Sequence, residues 1–256
     1  MTINSYDFSN LYSKSKINRT TAGAGTGGLL VSMALFFSSY LFYNSELYGA
    51  MMLVIAFAIW FYLAGTQFIQ MIFDIFSIIF RSVHITDPAT DIIKCNTVFR
   101  VVEKEYSETS RFDSDTIKSE DTRLIPLIKN YIEDKNVLGS DVLVNMIDHS
   151  VYSIADEHYS YNISILDFIG NTMPLFGLFG TVLGLVDMLA QISDTIKISE
   201  LTQNVSVAML TTLYGSILSI IFKILSSRFK LKREALKYDF NELSNHIVNI
   251  FRIKSV

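Results

Sequence analysis

The fold of this chain is decided by the stretch Asn171-Thr172-Met173-Pro174-Leu175-Phe176-Gly177-Leu178-Phe179-Gly180-Thr181-Val182-Leu183-Gly184. Gly177, Gly180 and Gly184 recur at intervals of three or four residues, and Thr181 lies four after Gly177, so on a helix all four share one face. Small residues on one face let a second backbone approach closely inside a membrane. Pro174 removes one helical hydrogen bond and predicts a kink. The stretch therefore predicts a membrane helix that packs tightly against a neighbour.

A second apolar segment carries a matching face of small and hydroxylated residues. Its members are Ala208, Thr211, Thr212, Gly215, Ser216 and Ser219. We expect the two faces to pack together. A threonine in a membrane helix often only bonds a carbonyl of its own helix and fills space. Two interpretations therefore stay open for these hydroxyls: space filling, or a polar site within the membrane.

Four apolar stretches organise the chain. They run from about Gly27 to Tyr43, Leu47 to Phe73, Ile163 to Ile192 and Val205 to Leu225. We expect each to cross a hydrocarbon core of about 30 Å at a rise of about 1.5 Å per residue. The second stays apolar to Phe80 apart from Asp74, so its end should project beyond the bilayer. The sequence predicts an all-α membrane protein with four transmembrane helices in two hairpins.

The predicted boundaries follow from these stretches. They are a cytoplasmic N-terminal segment (1–26), hairpin 1 (27–80), a cytoplasmic helical domain (81–161), hairpin 2 (162–226) and a cytoplasmic C-terminal helix (227–256). The turns of the two hairpins are expected at residues 44–46 and 193–204, and the polar segment 111–122 is expected to be an exposed loop.

Both polar segments show helical periodicity. In the central domain the apolar stripe consists of Ile92, Ile93, Val98, Phe99, Val101 and Val102. In the C-terminal segment the apolar positions alternate at spacings of four and three, typical of a packed helix seam. They are Leu236, Phe240, Leu243, Ile247 and Ile250. The seam packs on the central domain or on a neighbouring subunit, and we expect packing within the chain.

Lysine and arginine residues predict the orientation, because they are enriched in loops that face the cytoplasm. They flank the start of the first stretch, the end of the second and the end of the fourth. These residues are Lys14, Lys16, Arg19, Arg81, Lys223, Arg228, Lys230, Lys232 and Arg233. The two hairpin turns contain only Lys197 as a basic residue. Both termini and the central domain are therefore expected on the cytoplasmic side.

Composition excludes several classes of protein. The 256 residues are 50% hydrophobic and 18% charged, which favours a membrane protein. The net charge of -4 argues against a nucleic-acid partner, because phosphate contacts need clustered basic residues. The single cysteine, Cys95, can form no internal disulfide. Gly23, Gly25 and Gly28 fit a G-x-G-x-x-G spacing, but no strand precedes them, so no phosphate loop is predicted.

An ion pathway through the threonines would need a partner. A hydroxyl does not ionise at neutral pH, so it can only hold water or hydrogen-bond a carboxyl group. The chain's own membrane acids suit the role poorly, because Asp74 and Asp167 lie near the cytoplasmic ends of their stretches. Asp187, near the outer end, is either part of an ion entry path or an interfacial residue. We therefore expect another protein to supply the acid.

At this point a resemblance enters. The segment Asn171 to Gly184, together with Ala208-Met209-Leu210-Thr211-Thr212-Leu213-Tyr214-Gly215, closely resembles the signature of the MotA/TolQ/ExbB proton-channel family. The run from proline to glycine is most similar to ExbB and TolQ, whereas the four-stretch layout is similar to MotA. ExbB-like members have three spans and commonly a glutamate in the last, where this chain has Val207. The subfamily and the choice between proton and sodium stay open.

The resemblance implies a bacterial inner-membrane protein and a homopentamer around a dimer of a single-span partner of the MotB, ExbD or TolR type. The partner's membrane aspartate would take up H⁺ or Na⁺, and ion flow would drive rotation or force without any other cofactor. Thr181 and Thr212 would be the pore-facing hydroxyls, Pro174 the family proline, and Asn171 and Thr211 further pathway residues. In MotA-like members the central domain presents charges to a rotor. The candidates for such a contact in this chain rest only on their position after the second apolar stretch. They are Arg100, Glu103, Lys104 and Glu105.

Two other classes of function bear on the same residues. A non-conducting membrane scaffold would use Gly177, Gly180, Gly184, Ala208 and Gly215 for assembly alone. An enzyme is disfavoured, because no serine–histidine, paired-carboxylate or metal-ligand arrangement lies at membrane depth. The four histidines are scattered without paired ligand spacing, so no metal site is predicted.

Overall fold

The structure is a computed structural model that describes residues 11–12, 25–44, 47–80, 86–109, 122–133, 139–190 and 198–254. In these ranges every regular element is helical. The helices are α1 (Gly25–Asn44), α2 (Tyr48–Ala64), α3 (Phe68–Phe80), α4 (Asp87–Thr109), α5 (Leu124–Glu133), α6 (Ser140–Ile147), α7 (Ser153–Ala190) and α8 (Ile198–Lys254). The predicted all-helical class is confirmed for these residues. Outside them lie Gly23, residues 111–121 of the loop predicted at 111–122, and residues 45–46 and 193–197 of the two predicted hairpin turns.

The chain forms two compact units. The apolar unit consists of residues 18–75 and 161–229, and the polar unit consists of residues 1–17, 76–160 and 230–256. Among the described residues, three helical stretches are long and apolar enough to cross a membrane: Tyr48–Phe80, Ser140–Ala190 and Val205–Lys254. The first predicted span is a shorter apolar helix, Gly28–Phe42. At about 1.5 Å per residue it extends about 22 Å, less than the hydrocarbon core.

The second predicted span is not one regular helix. A 3₁₀ turn at Gly65–Gln67 separates α2 from α3, and Gly65 has a φ of 54°, which favours glycine. The hydroxyl of Tyr161 donates to the carbonyls of Leu63 and Ala64 at 3.2 and 3.4 Å. This tyrosine supplies the donor that backbone carbonyls next to a helix break need inside a membrane.

The fourth predicted span and the C-terminal helix are a single helix, α8, of 57 residues. No glycine or proline follows Gly215 in it, so nothing in the sequence ends the helix at residue 226. The helix also begins at Ile198, inside the predicted turn 193–204. Similarly, α6 continues through a π turn at Asp148–Tyr152 into α7.

Within the polar unit the C-terminal seam is buried in its own chain. All five predicted seam residues are at most 8% exposed. Phe240 stacks on Tyr152 with ring centroids 4.6 Å apart, and Arg233 makes a two-pronged ion pair with Asp156 at 2.6 and 2.7 Å. The prediction of packing within the chain is confirmed.

Ile92, Phe99 and Val102 form a buried face of helix α4, as predicted, whereas Val101 is 47% exposed. The prediction for Val101 is wrong because a spacing of 3.6 residues turns it away from that face. Cys95 takes a place in the buried stripe instead, and burial raises the pKa of its thiol.

Polar bridges join α4 and α8 at a seven-residue interval. The amide of Asn96 donates to Glu242 at 2.8 Å and to Asp239 at 3.3 Å. Seven residues further along each helix, Glu103 contacts His246 and accepts from the Asn249 amide at 2.8 Å. The seam therefore combines apolar burial with side-chain hydrogen bonds.

Candidate ion-pathway site

The candidate site lies where α7 and α8 meet in the apolar unit. A Cβ added at Gly180 would lie 2.6 Å from the hydroxyl of Thr211, and one at Gly215 would lie 2.8 Å from the Met173 carbonyl oxygen. At Gly177 it would meet the Thr211 carbonyl oxygen at 3.0 Å. The two backbones approach closely because these three positions lack a side chain. Gly184 and Ala208 are also buried.

The close approach brings Thr181 of α7 and Thr212 of α8 together. Their hydroxyl groups are hydrogen-bonded to each other. Both hydroxyls also lie near the same two carbonyl oxygens: Thr181 is 3.2 Å from that of Gly177 and 3.1 Å from that of Ala208, and Thr212 is 3.2 and 3.3 Å from them. Two hydroxyls and two carbonyls from both helices therefore form one polar cluster.

The cluster opens onto a concave surface of about 430 Å³. The surface is lined by Thr181, Ala208, Met209, Thr212, Leu213 and Ser216. Thr181 is half-buried and Thr212 is exposed, so both hydroxyl-bearing residues reach this surface. Thr211 is fully buried behind it, where its hydroxyl lies 3.0 Å from the Ala208 carbonyl. The structure thus separates two threonines at the surface from one that packs.

Hydroxyl and carbonyl oxygens define what this cluster can do chemically. Each threonine carries one proton to donate and lone pairs that accept. The cluster can accept a hydrogen bond from a protonated carboxyl group, donate to a carboxylate, or supply oxygen ligands to a hard cation. Among the described residues, no group of three histidine, cysteine or acidic side chains is placed to hold a metal ion.

Pro174 lies inside α7, which continues as a helix on both sides of it. Because proline has no N–H, the carbonyl of Gly170 lacks its usual donor four residues on. The hydroxyl of Ser219 on α8 donates to that carbonyl at 2.6 Å. Ser219 was recognised in the sequence as part of the small face, but not in this role. Counting four residues back from the proline would have identified the carbonyl that needs a donor.

These elements match a known family. The family model of the MotA/TolQ/ExbB proton channel family matches residues 127–242. Residues 127–242 carry the signature of that family. The match includes all of α7 and α8 up to residue 242, and the resemblance predicted from the sequence is confirmed. The family is described as a proton channel family and not as a class of enzymes.

Curated relatives of the MotA type agree with the family match. The chain is 32% identical over 105 residues to the chemotaxis protein PomA of Vibrio alginolyticus, covering 38% of this chain and 40% of PomA. It is 38% identical over 69 residues to motility protein A of Aquifex aeolicus, covering 27% and 26%. It is 28% identical over 140 residues to motility protein A of Treponema pallidum, covering 47% and 52%. The chain thus aligns with about a quarter to a half of the length of these relatives.

The other predicted pathway residues on α7 lie away from the threonine cluster. Asn171 and Asp187 are exposed on α7. Along the helix they are about 15 Å and about 9 Å from Thr181. Asp74, by contrast, is buried in the apolar unit and accepts from the Asn162 amide at 3.0 Å. Sequence reasoning missed Asn162, whose only signal was an amide close to the start of an apolar stretch.

Proposed function

We propose that this chain is the ring-forming subunit of an ion-driven motor in the bacterial inner membrane. Five copies surround two copies of a single-span partner whose membrane aspartate carries H⁺ or Na⁺. The observation that carries the proposal is the Thr181–Thr212 cluster on an open surface within the family-matched region. The similarity to MotA-type motility proteins supports a stator, which converts ion flow into rotation.

The cluster has the chemistry that such a partner needs. A carboxylate in the membrane is costly unless it is hydrogen-bonded, and a protonated carboxyl group costs much less. Donation from Thr181 or Thr212 stabilises the ionised aspartate, and acceptance by the same oxygens stabilises the protonated form. Ionisation of the aspartate thus changes its hydrogen bond with the threonines: the protonated carboxyl group donates to them, and the carboxylate accepts from them. A partner that takes up and releases ions would therefore step from one subunit to the next.

The proposed layout follows the sequence prediction. Helix α1 and the stretch α2–α3 form the outer hairpin, and the apolar parts of α7 and α8 form the inner hairpin. In this layout both termini and the polar unit lie in the cytoplasm, and the basic residues that flank the spans support this orientation. The 20 residues of α1 extend about 30 Å, enough to cross the hydrocarbon core, although its apolar part, Gly28–Phe42, is shorter.

The test is the substitution Thr181→Val, which replaces the hydroxyl with a methyl group of similar size. We expect ion flux into vesicles to fall by about tenfold or more, because one hydrogen bond to a charged group is lost. Subunit stoichiometry, counted by native mass spectrometry with the co-purified single-span partner, should stay at five to two. Thr97→Val is the matched control, because the Thr97 hydroxyl donates to the Ile93 carbonyl of its own helix at 2.7 Å in the polar unit.

A second candidate is a non-conducting scaffold, favoured by the close glycine contacts alone. A scaffold would show no ion flux in either the unmodified protein or the Thr181→Val variant, or the substitution would disrupt assembly. Normal flux through the Thr181→Val protein would overturn the pore role of the cluster. Absence of a central pair of partner helices in electron micrographs would overturn the motor.

A further inference from the structure

Two hydroxyl groups of α8 contact α7 on either side of its proline. Thr212 precedes Ser219 by seven residues on α8. Their acceptors, Gly170 and Gly177, are also seven residues apart on α7, with Pro174 between them. The Ser219 hydroxyl donates to the Gly170 carbonyl at 2.6 Å. The Thr212 hydroxyl lies 3.2 Å from the Gly177 carbonyl oxygen. Helix α8 therefore ties α7 both before and after Pro174.

The two ties differ in what they replace. In a helix each carbonyl accepts from the N–H four residues on, which for Gly177 is that of Thr181. The corresponding donor for Gly170 would come from residue 174, where proline has no N–H. Gly170 and Ser219 are both buried. A buried carbonyl without a donor is most costly inside a membrane, where no water replaces the donor. Ser219 thus supplies the donor that a proline at this position removes.

A second serine of α8 shows that burial alone does not create such a tie. Ser226 lies seven residues after Ser219, so it is on the same face of the helix. It is fully buried, and among the residues that the structure describes its hydroxyl has no hydrogen-bond partner. The bond of Ser219 can therefore be separated by experiment from the space that a serine fills.

We propose that Ser219 is a positioning residue for the ion step: it compensates for the missing N–H of Pro174 and so fixes the direction of α7 that holds Thr181 against Thr212. Thr181 lies seven residues beyond Pro174, about 10 Å along the helix. A change of about 10° in direction at Pro174 would displace Thr181 by about 2 Å, more than a hydrogen bond tolerates. The role in the ion step rests on the proposed function, whereas the coupling between Ser219 and Pro174 does not.

A double-mutant cycle on the full chain in detergent tests the coupling. Trp60 contacts the ring of Phe222, three residues after Ser219, so its fluorescence follows thermal unfolding close to the bond. Ser219→Ala should lower the unfolding midpoint by about 3–10 °C, because the Gly170 carbonyl loses its donor. Pro174→Ala returns an N–H to that carbonyl. In the Pro174→Ala protein, Ser219→Ala should therefore lower the midpoint by less than about 1 °C.

Ion flux through the complex with its co-purified partner tests the positioning role. At a temperature well below its unfolding midpoint, Ser219→Ala should lower the flux about fivefold. Ser219→Thr keeps a hydroxyl at this position and should retain most of the flux. Ser226→Ala is the matched control, because it removes an equally buried hydroxyl that has no hydrogen bond. This variant should keep both the flux and the midpoint of the unmodified protein.

The proposal is overturned if Ser219→Ala lowers the midpoint equally with and without Pro174, or if Ser226→Ala lowers it as much. If Ser219→Ala does not fold, recovery of folding by Pro174→Ala supports the coupling, and failure in both backgrounds contradicts it. A coupled midpoint with unchanged flux would overturn the positioning role. If the unmodified complex conducts no ions, the proposed motor function fails together with that role, while the cycle still decides whether Ser219 compensates for Pro174.

Discussion

Helix α8 pairs with its neighbours in two different ways. In the apolar unit it meets α7 through glycines and threonines, with backbones close enough for hydroxyls to reach carbonyls across the interface. In the polar unit it buries a seam of large apolar side chains and meets α4 through bridges such as Asn96 to Glu242. Burial of apolar surface drives helix pairing in water, but lipid offers no such gain, so close contact and hydrogen bonds replace it. One helix therefore carries two packing patterns: a small-residue face in the apolar unit and a seam of large apolar residues in the polar unit.

The largest effect on stability is expected from a substitution in the apolar seam of the polar unit. Leu243 is fully buried in the polar unit, so Leu243→Ala should lower its free energy of unfolding by about 2–5 kcal/mol. Cys95, the single cysteine, is buried in the same unit, so the rate at which a thiol reagent labels it reports opening. The thiol reagent should label Cys95 much faster in the Leu243→Ala variant than in the unmodified protein. Leu231→Ala, at a position 58% exposed, should change the labelling rate little, and equal rates for both variants would contradict the assignment of the seam.

An intermediate effect on stability is expected from a substitution in the small-residue face between α7 and α8. Gly180→Ala forces the Thr211 side chain to move and should cost about 1–3 kcal/mol. The single tryptophan, Trp60, contacts the Phe222 ring of α8, so its fluorescence follows thermal unfolding of the apolar unit. Gly170→Ala is the control at the same interface, because the Cβ there meets the flexible side chain of Lys223 at 3.1 Å. If both substitutions lower the midpoint of thermal unfolding equally, the close contact at Gly180 contributes no more to stability than the contact at Gly170.

The smallest effect concerns a charge in the polar seam. Burial and the neighbouring Glu242 raise the pKa of Asp239 above its ordinary value of 3.8, against the hydrogen bond from Asn96. The folded state thus binds this proton more tightly than the unfolded state, so stability falls as pH rises through the window above 3.8. Asp239→Asn should remove that loss and stabilise the unit at neutral pH by about 0.5 kcal/mol or less. Thermal midpoints between pH 4 and 7 test this, and a variant less stable than the parent at pH 7 would refute it.

Spacing made much of the fold predictable. The intervals between Gly177, Gly180 and Gly184 identified the α7 face that meets α8, and the seam from Leu236 to Ile250 identified the buried side of α8. Both patterns are local, so they can be read along one chain. The two threonines could be selected for the same reason, because they lie on those faces.

Features that depend on a distant partner were not predictable. The 3₁₀ turn at Gly65 is stabilised by Tyr161, about a hundred residues away in sequence. The Gly170 carbonyl finds its donor on Ser219, about fifty residues further along the chain. The sequence predicts a boundary at residue 226, where the composition changes from apolar to charged, but α8 continues through it. Composition changes with the surroundings of a helix, whereas only a helix-breaking residue or a capping motif ends it.

The paired hydroxyls of Thr181 and Thr212 have one more property. Each can rotate about its C–O bond, so the hydrogen bond between them can run from α7 to α8 or from α8 to α7 with no movement of heavy atoms. Rotations of this size are far faster than helix displacement. Under the proposed function, each subunit offers the passing carboxyl group a donor or an acceptor on demand. The polarity of a single hydrogen bond would thus be the fastest moving part of the motor.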